Sequence, residues 1–252
     1  MGGVALLEYP LPATHKPADP TGSGNASRMV PDGRRCGTRS RAAGRTDMRT
    51  VLISMAWTTG ILVAIIAWRR LVPAPMPRVF DFILRTKFRR RTFSPEIAAE
   101  RHGVTAGMRV LEVGPAGGYL TRAAAERVKP GGQLVSLDLQ LPFLKTLRER
   151  LGPITPLLVC GDASRLPFRQ GYFDLVFVAD VMGEIPDKRG ARREFGRVLR
   201  PQGTLAVSEA ALFDPDYVRA SVLQRLVVDA GFQPRERFES WFQYTHRFVR
   251  TA

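Results

Sequence analysis

Cysteine is nearly absent: Cys36 and Cys160 are the only two, and neither has a metal-ligand spacing around it. That excludes a disulfide framework and a zinc finger, and it fits a reducing compartment. Cys160 lies in the apolar run LLVC and is expected to be a buried small hydrophobe. Histidine is as sparse. His15, His102 and His246 are scattered, so no metal site is expected, and His102 reads as a surface helix residue. Acidic residues are also short, 23 against 38 Lys plus Arg, for a net charge of +15. The deficit is local. Residues 1–91 carry 16 basic and 5 acidic side chains, whereas residues 92–252 carry 22 and 18. A nucleic-acid groove would place the excess on the folded domain, so no nucleic-acid partner is expected. A juxtamembrane cluster facing anionic lipid would place it where it is found.

Long uncharged runs are missing as well, with one exception. Val51 to Trp68 is an uncharged run of 18 residues, interrupted by Ser54, Thr58, Thr59 and Gly60. At 1.5 Å per residue it reaches roughly 27 Å, just short of a ~30 Å hydrocarbon core. A single transmembrane helix over 51–70 is expected, with a buried core helix as the alternative. Arg69, Arg70, Arg78, Arg85, Lys87 and Arg89 to Arg91 follow the run, which by the positive-inside rule puts the C-terminal side in the cytoplasm. Residues 71–93 then form a basic juxtamembrane segment, in which Val79 to Phe93 reads as an interfacial amphipathic helix or as a solvated helix packed on the domain. Residues 1–47, rich in Gly, Pro, Arg, Ser and Ala, read as disordered. They oppose the orientation and resemble no targeting segment, so translation from Met48 is a further expectation.

What the remainder has in abundance is alternation of strand-like and helix-like runs, organised around VLEVGPAGGYLT at Val110–Thr121. An apolar strand there enters a glycine-rich turn and then a helix. Gly114, Gly117 and Gly118 allow a close backbone approach to a ligand. Ser94-Pro95-Glu96 supplies an N-cap, a first-turn proline and an acid for a short helix reaching about His102. Strands are expected over 109–113, 134–137, 156–160, 173–178 and 204–208, with helices at 119–128, 141–151, 188–199 and 216–230. Two further strand-like runs, 233–239 and 241–249, are close enough to pair antiparallel. Such alternation makes an open, mostly parallel α/β sheet over 94–252, with helices on both faces. Asp138, Asp162 and Asp180 fall at C-terminal strand ends, the edge where such sheets bind ligands. Asp138 lies 20 positions after Gly118, suited to a bidentate grip on ribose hydroxyls. A nicotinamide-binding domain would require G-x-G-x-x-G, a spacing that Gly114, Gly117 and Gly118 do not fit.

Together, ExGxxGG at Glu112–Gly118, Leu137-Asp138, GDASRLPF at Gly161–Phe168, FDLVFVADVMGEIPD at Phe173–Asp187 and RVLRPQGTLAVSE at Arg197–Glu209 resemble class I S-adenosylmethionine-dependent methyltransferases. The likeness is to the branch containing the ubiquinone/menaquinone-biosynthesis C-methyltransferases, and it runs from about Ser94 to the C-terminus. It implies a Rossmann-like, doubly wound seven-stranded sheet with the last strand antiparallel, and S-adenosylmethionine as cofactor. By position it implies Glu112, Gly114, Ala116 and Gly118 around the methionine part, Asp138 on the ribose and Leu139 near adenine. Asp162 would accept from the adenine amino group with Ala163 beside it, and Ala179 and Asp180 would line the transferred methyl. The chain departs from the family pattern at Ala116, where glycine is common.

Methyl transfer from a sulfonium is an in-line displacement, in which orientation of the reactants can supply about 7–11 kcal/mol. A base is needed only for a protonated acceptor. The candidates are Asp180 and Glu184 after the fourth strand and His246 on the last strand, with Tyr119 and Tyr244 as possible substrate contacts. Three functions stay open: methylation of a lipid-like acceptor at the bilayer, methylation of a soluble small molecule, and a non-catalytic cofactor-binding scaffold at the membrane. The first expects the domain at the cytoplasmic face, anchored through Val51–Trp68.

Overall fold

The structure is a computed structural model that describes residues 47–71, 94–154, 156–211 and 216–251. The disorder expected before Met48 and the basic juxtamembrane segment fall, for residues 1–46 and 72–93, outside the described residues.

The first helix, α1, spans Met48–Leu71. The transmembrane helix expected over 51–70 is overturned: among the described residues, no helix is long and apolar enough to cross a membrane. Arg49 stands in its first turn, and hydroxyls interrupt its apolar run. Those hydroxyls turn back on the helix, Ser54 Oγ donating to the Val51 carbonyl at 2.8 Å and Thr59 Oγ1 to the Met55 carbonyl at 2.8 Å. Single-pass anchoring, membrane partnering through Val51–Trp68 and placement at a cytoplasmic membrane face all depended on that span and fall with it.

The α/β region begins with α2 (Pro95–His102), stopped by Gly103 at φ +87°. Ser94 caps its start, its Oγ accepting from the Ile97 N–H at 3.3 Å. Then follow β1 (Arg109–Val113), α3 (Thr121–Arg127), β2 (Gln133–Asp138), α4 (Leu141–Leu151) and β3 (Leu157–Cys160). The second half comprises β4 (Phe173–Ala179), α5 (Lys188–Val198), β5 (Leu199–Ala210), α6 (Ala220–Val228), β6 (Phe232–Glu239) and β7 (Gln243–Arg250).

The seven strands form one sheet in the order β3-β2-β1-β4-β5-β7-β6. β1 to β5 pair parallel, and β7 enters antiparallel between β5 and β6. Strand order reverses between β1 and β4, and the crevice for a ligand opens at the C-terminal ends beside that reversal. Val110, Leu111 and Val113 are buried, as a central strand requires. Phe173, Phe177, Phe195, Phe232 and Phe248 are fully buried and fill the space between sheet and helices. Truncating any of them to alanine would cost roughly 3–5 kcal/mol. On α5 the buried Ala191, Phe195 and Val198 repeat at helical spacing, and Asp187 caps the helix by accepting from the Gly190 N–H at 2.8 Å.

Two burial expectations reverse. Cys160 is exposed, because β3 is an edge strand whose two end residues, Leu157 and Cys160, face water while Leu158 and Val159 are only half-buried. His102 is buried, because the last turn of α2 lies over β4 and β5, where its ring packs 5.1 Å from that of Phe177.

Candidate active site

The turn after β1 is held by its neighbours. The Gly114 N–H donates to the Leu137 carbonyl at 2.8 Å, tying the turn to β2. Gly114 sits at φ +72°, and a Cβ there would lie 2.5 Å from Val181 Cγ2, so the loop after β4 presses directly on the turn. Ala116 takes φ +45°, a conformation that favours glycine. The Gly118 N–H closes the turn on the Pro115 carbonyl at 2.8 Å, and a Cβ at Gly118 would run into Leu147 of α4.

Three carboxylates stand at successive strand ends around this turn. Glu112 is buried and accepts from Thr121 Oγ1 at 3.0 Å and Ser136 Oγ at 2.6 Å. Burial raises its pKa to about 7, with the Ser136 and Thr121 hydroxyls opposing the shift and the nearby Asp138 adding to it. Asp138 accepts from the Ala116 N–H at 3.3 Å and from the Gln140 N–H at 2.8 Å, so one carboxylate braces both walls of the crevice. Burial pushes its pKa up, against those two backbone donors. Asp162 commits Oδ1 to Ser164, accepting from its N–H and its Oγ, both at 2.8 Å.

The loop bearing Asp162 is clasped from α5. Arg197 donates to the carbonyls of Phe168 at 2.7 Å and Leu166 at 2.9 Å, while Glu194 accepts from the Leu166 N–H at 2.9 Å. Their mutual hydrogen bond lowers the Glu194 pKa and raises that of Arg197. After β4, Asp180 takes φ +55° with its N–H donating to the Ser208 carbonyl at 2.9 Å. Aspartate tolerates that region better than most residues, and such backbone strain gathers at functional sites. The buried Glu209 supports the same loop, Oε1 accepting from the Met182 N–H at 3.2 Å.

One cavity runs along these strand ends. Of the residues singled out from sequence, Glu112, Gly114, Ala116, Asp138, Leu139, Asp162, Ala163, Ala179, Asp180 and Glu184 all line it, as does Tyr119. Gly118 does not: it packs the turn against α4. Tyr244 and His246 do not line it either. Tyr244 donates its hydroxyl to the Val218 carbonyl at 2.6 Å, and His246 pairs through Nε2 with Glu239 Oε1 at 2.6 Å. Burial lowers the His246 pKa, with Glu239 opposing. Sequence reasoning missed Ala98, Phe177, Ser208 and Gln243, which also line the cavity. Ser208 was open to discovery by the rule that picked out Asp138, since each is the last residue of its strand in parallel register with a neighbour.

The cavity's charged lining residues are Glu112, Asp138, Asp162, Asp180 and Glu184, with no lysine or arginine among the described residues that line it. A chain of net charge +15 has built an acidic crevice.

A family model described as a methyltransferase domain matches residues 111–207. The ubiquinone/menaquinone biosynthesis C-methyltransferase of Bordetella avium is 42% identical over 112 residues, 43% of this chain and 43% of that protein. The corresponding enzyme of Pseudomonas fluorescens is 38% identical over 116 residues, 44% of this chain and 45% of its own length. The chain thus spans less than half the length of the curated relatives it matches. Among solved structures, an S-adenosylmethionine-dependent methyltransferase from Aquifex aeolicus superposes with a TM-score of 0.64 at 19% identity, over 69% of this chain and 99% of that one. The fold is that of a class I S-adenosylmethionine-dependent methyltransferase. It is related at moderate identity to the ubiquinone/menaquinone methyltransferases, and fold and homology point to S-adenosylmethionine as the cofactor. Fold alone does not decide the reaction. The [4+2]-cyclase SpnF shares it with a TM-score of 0.55 at 18% identity, over 63% of this chain and 80% of that one.

The donor set fits that cofactor. Its ribose hydroxyls and adenine amino group are hydrogen-bond donors, and its ammonium and sulfonium are cations. The strand ends meet them with carboxylates. A dinucleotide would bring two phosphates into a crevice lined by five acids and, among the described residues, no lysine or arginine.

Proposed function

We propose that this chain transfers the methyl group of S-adenosylmethionine to a small-molecule acceptor. The observation that carries the reading is the acidic crevice: three carboxylates at successive strand ends, a glycine turn closed between them, and no basic side chain in the described lining. When bound, the cofactor supplies an electrophilic methyl group on a sulfonium.

The chain's residues divide the remaining work. Asp138, already oriented by the N–H groups of Ala116 and Gln140, offers its other lone pairs to the ribose hydroxyls. Asp162 offers Oδ2 to the adenine amino group, Oδ1 being held by Ser164. Glu112 would face the ammonium, and Gly114 and Ala116 would bring the backbone of the turn against the methionine part. Ala179 and Asp180 would line the transferred methyl, and Val181 and Ile185 make the neighbouring wall apolar. Asp180 and Glu184, both on the cavity wall, are the candidates to take a proton from an acceptor that arrives protonated.

The test is transfer of label from methyl-labelled cofactor to pooled small-molecule extracts, with wild type beside Asp138→Ala. Labelled product from wild type and a loss of roughly 10-fold or more in the variant is expected, the size of a charged hydrogen-bond pair. Cofactor binding without label transfer to any extract would favour a non-catalytic binding module.

A further inference from the structure

The cavity wall extends across β4 to β5, where Ala98, Phe177 and Ser208 gather around His102. Ser208 is buried at the C-terminal end of β5 and lines the cavity. Its Oγ lies 3.0 Å from His102 Nε2, and His102 Nδ1 lies 2.6 Å from the Ala98 carbonyl oxygen. A carbonyl can only accept, so Nδ1 carries the proton. Burial, aided by the Arg247 charge and opposed by the Ala98 hydrogen bond, lowers the His102 pKa to about 4, so the ring is neutral at physiological pH and Nε2 is an acceptor. The Ser208 hydroxyl must therefore donate to His102. A hydroxyl has one hydrogen, and it is spent; what Ser208 retains is lone pairs. The surrounding wall of Ala98, Phe177 and Ala179 offers those lone pairs no side-chain donor.

Resting on the methyltransferase reading, we propose that Ser208, fixed as a donor by His102, makes this part of the cavity wall an acceptor-only site that selects methyl acceptors carrying a hydroxyl or amine hydrogen. A ligand with O–H or N–H satisfies Ser208. One that presents only lone pairs sets acceptor against acceptor and leaves the oxygen buried and unmet. His102 acts through Ser208 and is a positioning residue; Ser208 is the specificity determinant.

The test compares binding of phenol and of anisole, a matched pair differing in that hydrogen, to the full chain by ligand-observed NMR, with and without S-adenosylhomocysteine. Wild type is expected to prefer phenol about tenfold, the size of one hydrogen bond. Ser208→Ala should bring the ratio toward one while leaving S-adenosylhomocysteine affinity unchanged. His102→Leu frees the hydroxyl to donate, so anisole should gain relative to phenol, a shift in selectivity that loosened packing alone would not produce. Equal wild-type binding, no binding of phenol, or a preference that survives Ser208→Ala (the signature of Glu184 or Tyr119 instead) would each overturn the proposal. Phenol selectivity without S-adenosylhomocysteine binding would keep the acceptor site and refute the methyltransferase reading, so the two can fail separately.

Discussion

At Glu112 a carboxyl is shut away from water with only two hydroxyls and a neighbouring carboxylate for company, and its pKa rises to about 7. A cation bound beside it favours the ionised form, so binding draws the pKa down and releases a proton. Affinity for S-adenosylmethionine is therefore expected to rise between about pH 6 and pH 8, by up to about tenfold per unit below the free-protein value. Calorimetry in buffers of different ionisation enthalpy would show the released proton, and Glu112→Gln should flatten the profile. Four residues along, Ala116 holds φ +45°, a backbone state that costs a residue with a Cβ about 1–2 kcal/mol. Ala116→Gly should accordingly raise stability by about 1 kcal/mol, read as a higher urea midpoint, with cofactor affinity retained. The glycine departure visible in the sequence is thus a strained alanine in an intact turn.

At the scale of elements, α2 depends on one arginine. Arg247 of β7 donates through Nε to the Arg101 carbonyl at 2.7 Å and through Nη2 to the Glu100 carbonyl at 2.5 Å, while Nη1 holds Glu236 Oε2 at 2.7 Å. The guanidinium caps the C-terminal carbonyls of α2 and clamps the helix that carries His102 onto the sheet. Arg247→Met should cost about 1.5–3 kcal/mol, and hydrogen exchange should show α2 amides losing protection while those of β1 and β4 keep theirs. The ends of α2 were legible because Ser94, Pro95 and Gly103 mark them chemically. Its buried face was not, since His102 in PEIAAERH looks polar and solvent-seeking until Ser208, 106 positions away, supplies its partner. The same limit hid the clasp of Glu194 and Arg197 on the loop of Asp162, a long-range match of side chains to backbone carbonyls. β3 was recognised as a strand, but its edge position, and so the exposure of Cys160, is a property of strand order. The helix α1 was located from its uncharged run; that run did not establish a membrane span, because hydroxyls and flanking charge leave it too little apolar length.

Over the whole molecule, charge and protonation are distributed against the average. A chain of net charge +15 concentrates acids at its crevice, so excess basicity is no guide to the ligand. Two buried groups also give stability opposing dependences on pH. Glu112 is raised from 4.5 to about 7, so its contribution is fully present below 4.5 and is lost as pH rises through 7, a change of about 3 kcal/mol. His102 is lowered from 6.5 to about 4, so its contribution is present above 6.5 and is lost as pH falls through 4, again about 3 kcal/mol. Their slopes oppose one another across the mildly acidic range. Urea midpoints should therefore fall more steeply toward acid for Glu112→Gln than for wild type, and rise relative to wild type for His102→Leu. Identical slopes in all three proteins would contradict the burial of both groups.

The measurement that bears most directly on the account is a calorimetric titration of S-adenosylmethionine into the full chain, with Asp138→Ala alongside and the fold of each checked by circular dichroism. Saturable one-to-one binding by wild type, weakened about tenfold or more in Asp138→Ala, is the predicted result. A folded wild-type protein that takes up no cofactor, or a folded Asp138→Ala that binds it as tightly as wild type, would contradict the assignment of the crevice.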